Sequence, residues 1–149
     1  MTILVATDGS DAAKAAAAAA CDLARSTGDE VVFVTVWREL RGDFGLPLQR
    51  LIPDLVEVER EHADAILAEA RRDGEARGVR AETVSRHGDA AREIAALARE
   101  SSPRMIVIGS HGQGKLESVL LGSVAHEVVH TASCPVLLVP AAGHRSSTA

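Results

Sequence analysis

Four short runs, Ile3-Leu4-Val5-Ala6, Val31 to Val36, Met105-Ile106-Val107-Ile108 and Val136-Leu137-Leu138-Val139, are apolar and rich in β-branched residues. Strands covered on both faces have this pattern, as in a parallel sheet sandwiched by helices. A fifth run, Val79 to Arg86, interleaves small or apolar residues with charged ones and suits a sheet edge. Between these runs the spacing turns helical. Ser10 is placed to cap a helix from Asp11 to about Ser26, with Gly28 to end it. Asp54-x-x-Glu57 has the form of a capping box and opens a long charged helix towards Gly78, with Leu55, Val58, His62, Ala65 and Ile66 as its expected inner stripe. Asp89 caps a third helix with Ile94, Leu97 and Ala98 on one face, and Ser123 caps a fourth carrying Val124, Val128 and Val129.

Strands alternating with single helices predict an α/β fold: one doubly wound domain with a five-stranded parallel sheet and helices on both faces. Such sheets bind ligands beyond the carboxyl ends of their strands, at the point where the winding reverses. With the first and fourth strands as neighbours, Asp8 and the loop after Ile108 meet there. The chain of 149 residues is enough for one core, expected over residues 1–140, followed by a disordered tail at 141–149. Arg38 to Pro53 is the one long irregular stretch, either a cover over the site or a plain mobile connection.

Composition narrows the function classes. Hydrophobic residues at 46% and charged residues at 25% are ordinary for a globular domain and exclude disordered, collagen-like and coiled-coil chains. No apolar stretch approaches the roughly 20 residues of a membrane span, since Lys14 breaks the run Ala12 to Ala20. The first residues lack a basic segment followed by an apolar one, so the expected location is the cytoplasm. A net charge of -5, with two Phe, one Trp and no Tyr, argues against a nucleic-acid partner. Cys21 and Cys134 lack metal-ligand spacing and are expected as buried thiols.

The most informative stretch is Gly109-Ser110-His111-Gly112-Gln113-Gly114-Lys115, followed at the mouth of the last helix by Gly122-Ser123. Glycines let backbone approach a ligand closely, and the N–H groups at a helix start attract anions, so phosphate is the natural guest and a plain turn the alternative. Gly109-x4-Gly114-Lys115 falls short of a P-loop because Leu116 stands where a magnesium-holding Ser or Thr belongs. His126-Glu127-Val128-Val129-His130 matches the zinc-protease pattern HExxH, but no further ligands follow at the required spacing. It reads as polar residues on the outer face of the last helix. Asp8 lacks the second carboxylate of a receiver-domain phospho-acceptor. No catalytic residue and no metal ligand is assigned.

Gly109-x2-Gly112-x9-Gly122-Ser123, the opening Ile3-Leu4-Val5-Ala6-Thr7-Asp8-Gly9-Ser10 and the ending Ser133-Cys134-Pro135-Val136-Leu137-Leu138-Val139 resemble the corresponding motifs of universal stress proteins. The glycine pattern is similar to that of the family's ATP-binding branch. The resemblance implies that Gly109, Ser110, His111 and Gly112 wrap the ribose and phosphates of ATP, and that Gly122, Ser123 and Val124 meet its phosphates. It also implies Ala6, Thr7 and Asp8 along the adenosine side, Asp8 near the ribose or a bound ion, Val36 against adenine, and Mg2+ or Mn2+ with the nucleotide. Ala6 stands where the family often has proline, and Lys115 and Glu117 occupy a variable part of the loop. The implied function is a nucleotide-dependent stress-response regulator with slow or no ATP hydrolysis. The alternatives are a nucleotide-free dimeric interaction module and, further off, an ATPase or phosphotransferase. A homodimer through Val136 to Val139, which would bury an apolar edge strand, is expected with either of the first two.

Overall fold

A computed structural model describes residues 1–38, 54–112 and 121–141. The elements run β1 (Thr2–Ala6), α1 (Asp11–Thr27), β2 (Glu30–Trp37), α2 (Leu55–Ala76), β3 (Ala81–His87), α3 (Ala90–Ser101), β4 (Met105–Gly109), α4 (Ser123–Thr131) and β5 (Val136–Val139). The five strands form one sheet in the order β3-β2-β1-β4-β5, and every neighbouring pair is parallel. From β1 the chain winds outward through β2 to β3, then crosses back to β4, so the winding reverses between β1 and β4. The predicted stretches Arg38 to Pro53 and 141–149 lie outside the described residues except at Arg38 and Ala141, and so do Lys115 and Glu117.

Alternate strand residues face opposite layers. Ile3, Val5, Val31, Phe33 and Val107 pack with α1 and α2, whereas Leu4, Ala6, Val34, Ile106 and Ile108 pack with α3 and α4. Complete burial of a side chain such as Phe33 or Ile3 is worth about 1.5–3 kcal/mol, so these two layers hold the sheet together. α1 lies close because its buried side chains are mostly alanine: Ala12, Ala13, Ala16, Ala20 and Ala24, with Cys21. Ser10 accepts the Ala13 N–H at its start, and Gly28 closes its end with φ 75°. Asp89 caps α3 through the Arg92 N–H, and Ile94, Leu97 and Ala98 are buried as their spacing predicts.

α2 departs from its expected stripe. Val58 is 53% exposed, and His62 and Ala65 also face outward, while Ala63, Leu67 and Gly74 are buried and Ile66 and Ala70 half-buried. The expected stripe is rotated by about one residue, because the apolar residues of this charged helix are too sparse to fix its phase. Gly74 sets the true phase, since a Cβ there would lie 3.2 Å from the Phe33 ring and 3.3 Å from Ala81. Asp54 makes no side-chain cap. In α4, Ala125 and Val128 are buried, while Val124 and Val129 are exposed and Gly122, not Ser123, is the N-cap. Cys21 is buried and Cys134 half-buried, and burial pushes both thiols up, away from the reactive thiolate. Among the described residues no helix is long and apolar enough to cross a membrane.

Candidate functional site

The winding reversal leaves a cleft of about 460 Å³ beyond the carboxyl ends of β1 and β4. That volume lies within the range of small-molecule sites, roughly 300–1,000 Å³. Ala6, Thr7 and Asp8 line it from β1 and its loop, Val34 and Val36 from β2, and Ile108, Gly109, His111 and Gly112 from β4 and its loop. Gly122, Ser123 and Val124 line it from the start of α4. The structure thus brings together every site residue singled out in the sequence except Ser110. The remaining wall is Ala13, Ala90, Ile94, Leu121 and Ala125, with Val34 and Ile108 beneath. Those residues carry no motif. Ala90 and Ile94 share a face of α3 at helical spacing, but only the tertiary crossing of α3 over the sheet brings them to the cleft.

The β1 loop is held from below. The Thr7 N–H donates to the Val34 carbonyl at 2.9 Å, and the Thr35 hydroxyl donates to the Thr7 carbonyl at 2.8 Å. Thr35 is buried, so its hydroxyl has to find a partner, and that partner fixes the loop. No motif announces this role: in the sequence Thr35 simply interrupts an apolar strand. Gly9 turns the chain with φ +78°, where a side chain would be strained, and a Cβ there would lie 3.3 Å from Ile66 of α2. The Ser10 N–H then donates to Asp8 Oδ1 at 2.9 Å, an Asx turn that orients the Asp8 carboxylate.

The β4 loop is held by Ser110. Its N–H donates to the Val139 carbonyl at 2.9 Å, and its own carbonyl accepts the Gly122 N–H at 2.8 Å. Its Oγ lies 2.9 Å from His111 Nδ1. Ser110 therefore supports the wall from behind, tying β5, α4 and His111 together. His111 Nε2 is buried and has no hydrogen-bond partner among the described residues. A buried polar atom without a partner costs about 1–3 kcal/mol, and a ligand in the cleft can relieve it.

Two glycines have different reasons. At Gly109 a Cβ would lie 2.8 Å from the Ala12 carbonyl carbon and 2.9 Å from Ala12 Cβ, so glycine is what lets β4 pass the first turn of α1. At Gly112 a Cβ would lie 2.8 Å from Asp8 Oδ2, so the two loops meet across the cleft. The start of α4 completes the site. Side chains cap α1 and α3, but Gly122 gives α4 none, so its first N–H groups and positive dipole end stand at the cleft wall. An apolar pocket bounded by a helix start without a side-chain cap and by an imidazole nitrogen without a partner among the described residues suits a ligand with a flat apolar part and an anionic part.

The sequence model of the universal stress protein family matches residues 1–140. The universal stress protein YxiE of Bacillus subtilis is 35% identical over 144 residues, covering 92% of this chain and 97% of that protein. A universal stress protein family structure from Burkholderia pseudomallei superposes with a TM-score of 0.74 at 32% identity, covering 94% of this chain and 96% of the other. Two further structures have bound nucleotides. A universal stress protein in complex with cAMP matches at TM-score 0.71 and 26% identity over 95% of this chain and 97% of its own. One from Archaeoglobus fulgidus in complex with dAMP matches at 0.66 and 26% over 93% and 97%.

Proposed function

The chain belongs to the universal stress protein family, and on that premise we propose that its cleft binds an adenine nucleotide, ATP, to regulate a stress response. The observation that carries this reading is the buried Nε2 of His111, which has no partner among the described residues, beside the start of α4, where Gly122 provides no side-chain cap. These are hydrogen-bonding groups at the rim of an apolar cleft, and a nucleotide supplies the complementary base, ribose and phosphates. The cAMP and dAMP complexes of the two related structures support the adenine class. Val36 and Val34 offer the apolar floor for the base, and Gly112 and Gly122 to Val124 the phosphate side.

Among the described residues no three ligating side chains cluster. Mg2+ or Mn2+ would therefore arrive on the phosphates, with Asp8 the one carboxylate in the described cleft lining to receive it. Apart from Asp8 and His111 the described lining carries no candidate base, which fits a binding protein with turnover well below about one per second. The setting is cytoplasmic. The protein acts as a homodimer through β5, the last strand of the sheet among the described residues, where Leu137 is 41% exposed. Leu137→Asp is the test of that contact by sedimentation, because Leu138 packs inward against the α3 and α4 layer and its substitution would disturb the core.

The nucleotide is tested by denaturing purified protein, identifying what is released, and repeating with Gly122→Val. Gly122 lines the cleft, and a Cβ there already lies 3.3 Å from the Ser110 carbonyl oxygen. Stoichiometric ATP or ADP from the parent and none from the folded variant is the expected result. At a thousandfold excess over Kd, ATP should add about 4 kcal/mol of stability. An empty protein that gains nothing from millimolar ATP overturns the reading in favour of a nucleotide-free dimeric module.

A further inference from the structure

The cleft makes no use of a second cluster, on the outward face of α4, where His126 and His130 stand one helical turn apart with both side chains exposed. We propose that these two imidazoles form a binding site for a late divalent transition-metal ion, Cu2+, Ni2+ or Zn2+. Residues four apart on a helix share a face, and here the ring centroids lie 4.4 Å apart with a 32° tilt. Two imidazoles held by one tetrahedral ion at roughly 2.0–2.1 Å place their centroids about 5 Å apart, close to the separation seen here.

The protonation of one ring is fixed by its neighbour. His130 Nδ1 lies 2.8 Å from the His126 carbonyl oxygen, which can only accept. Nδ1 therefore carries the proton, and in the neutral ring Nε2 presents its lone pair outward. A backbone carbonyl holding the second ring nitrogen is the arrangement that orients metal-ligating histidines generally. No third His, Cys, Asp or Glu completes a cluster among the described residues, so water fills the remaining positions and the site is open. Glu127 lies about 100° round the helix from His126 and about 60° from His130, and it does not complete a three-ligand cluster with them. Imidazole pairs select copper, nickel and zinc, whereas Mg2+ demands oxygen ligands, so this site is distinct from any ion carried on a nucleotide.

The test is a calorimetric titration of nucleotide-free and metal-free protein with CuCl2, NiCl2, ZnCl2 and MgCl2. One Cu2+ per chain is expected, bound more tightly than Ni2+ or Zn2+, with no heat from Mg2+. His126→Ala and His130→Ala should each weaken Cu2+ binding on the order of 100-fold, because the second ligand acts at high effective concentration. Ni2+ should broaden the ring resonances of His126 and His130 in the unaltered protein, a readout that needs no variant to fold. A double variant with the parent's affinity, or broadening that misses these two rings, overturns the site. So does binding lost with one substitution and untouched by the other.

Discussion

The two ends of the sheet treat polar groups in opposite ways. At the amino ends Asp29 is buried, and its carboxylate accepts from Arg104 Nε at 2.6 Å, Arg104 Nη2 at 3.3 Å and the Thr27 hydroxyl at 2.7 Å, with the terminal ammonium 3.1 Å away. Every lone pair has a donor. The hydrogen bond from Arg104, followed by that from Thr27, holds the carboxyl far below the usual carboxylate range. At the carboxyl ends His111 Nε2 is buried without a partner among the described residues, and Gly122 gives the start of α4 no side-chain cap. A saturated buried group serves stability, whereas an unsaturated one leaves a hydrogen bond open to water or a ligand.

That contrast can be broken most forcefully at Gly109. Gly109→Ala drives a methyl into the backbone of Ala12, which cannot swing aside, and should destabilise the protein by about 3 kcal/mol in denaturant melts. A loss below about 0.5 kcal/mol would mean that α1 yields and that the glycine is there for the ligand alone.

Asp29→Asn comes next and acts at the opposite end. Because the folded carboxyl is lowered, its stabilisation is present above the unfolded value of about 3.9 and is lost as pH falls through the folded value. Melting temperatures of parent and variant should differ most at neutral pH and converge only in strong acid. Nucleotide release should be unchanged. Equal melting at pH 7 would remove the structural role assigned to the Asp29 cluster. Ser10→Ala deletes the cap on α1 and should cost about 1 kcal/mol, measured by chemical unfolding.

The sheet was legible because strands buried on both faces write themselves as apolar runs, and the crossovers leave few topologies. Asp8 was legible because the topology sets it at the winding reversal, and His111, Gly112 and Gly122 because they lie in motifs that resemble those of the family. Val34, Ala90, Ile94 and Ala125 were not, because an apolar wall residue obeys the same rule as any core residue and only the crossing of α3 and α4 distinguishes it. Ser110 stands behind the described lining of the cleft for a related reason. Its motif position is genuine, but its backbone and hydroxyl are engaged by Val139, Gly122 and His111, a fact of tertiary pairing. The phase of α2 was misread because Gly74, which sets it, carries no hydrophobic signal.

Gly112→Ala gives the smallest expected effect on stability and the sharpest form of the comparison. It lies three residues after Gly109, and a Cβ would come equally close, 2.8 Å, to its nearest neighbour. That neighbour is the Oδ2 end of the Asp8 side chain, which can rotate, and Gly112 is not among the glycines with positive φ. The unliganded protein should therefore lose no more than about 0.5 kcal/mol. Rotation of Asp8, however, changes the carboxylate that lines the cleft, and ATP affinity should fall by about tenfold, equivalent to about 1.4 kcal/mol. Thermal melts with and without ATP separate the two quantities. If Gly112→Ala destabilises the empty protein as severely as Gly109→Ala, the Asp8 carboxylate is as fixed as backbone. The carboxyl end of the sheet would then be as rigidly completed as the amino end, and the contrast between them would fail.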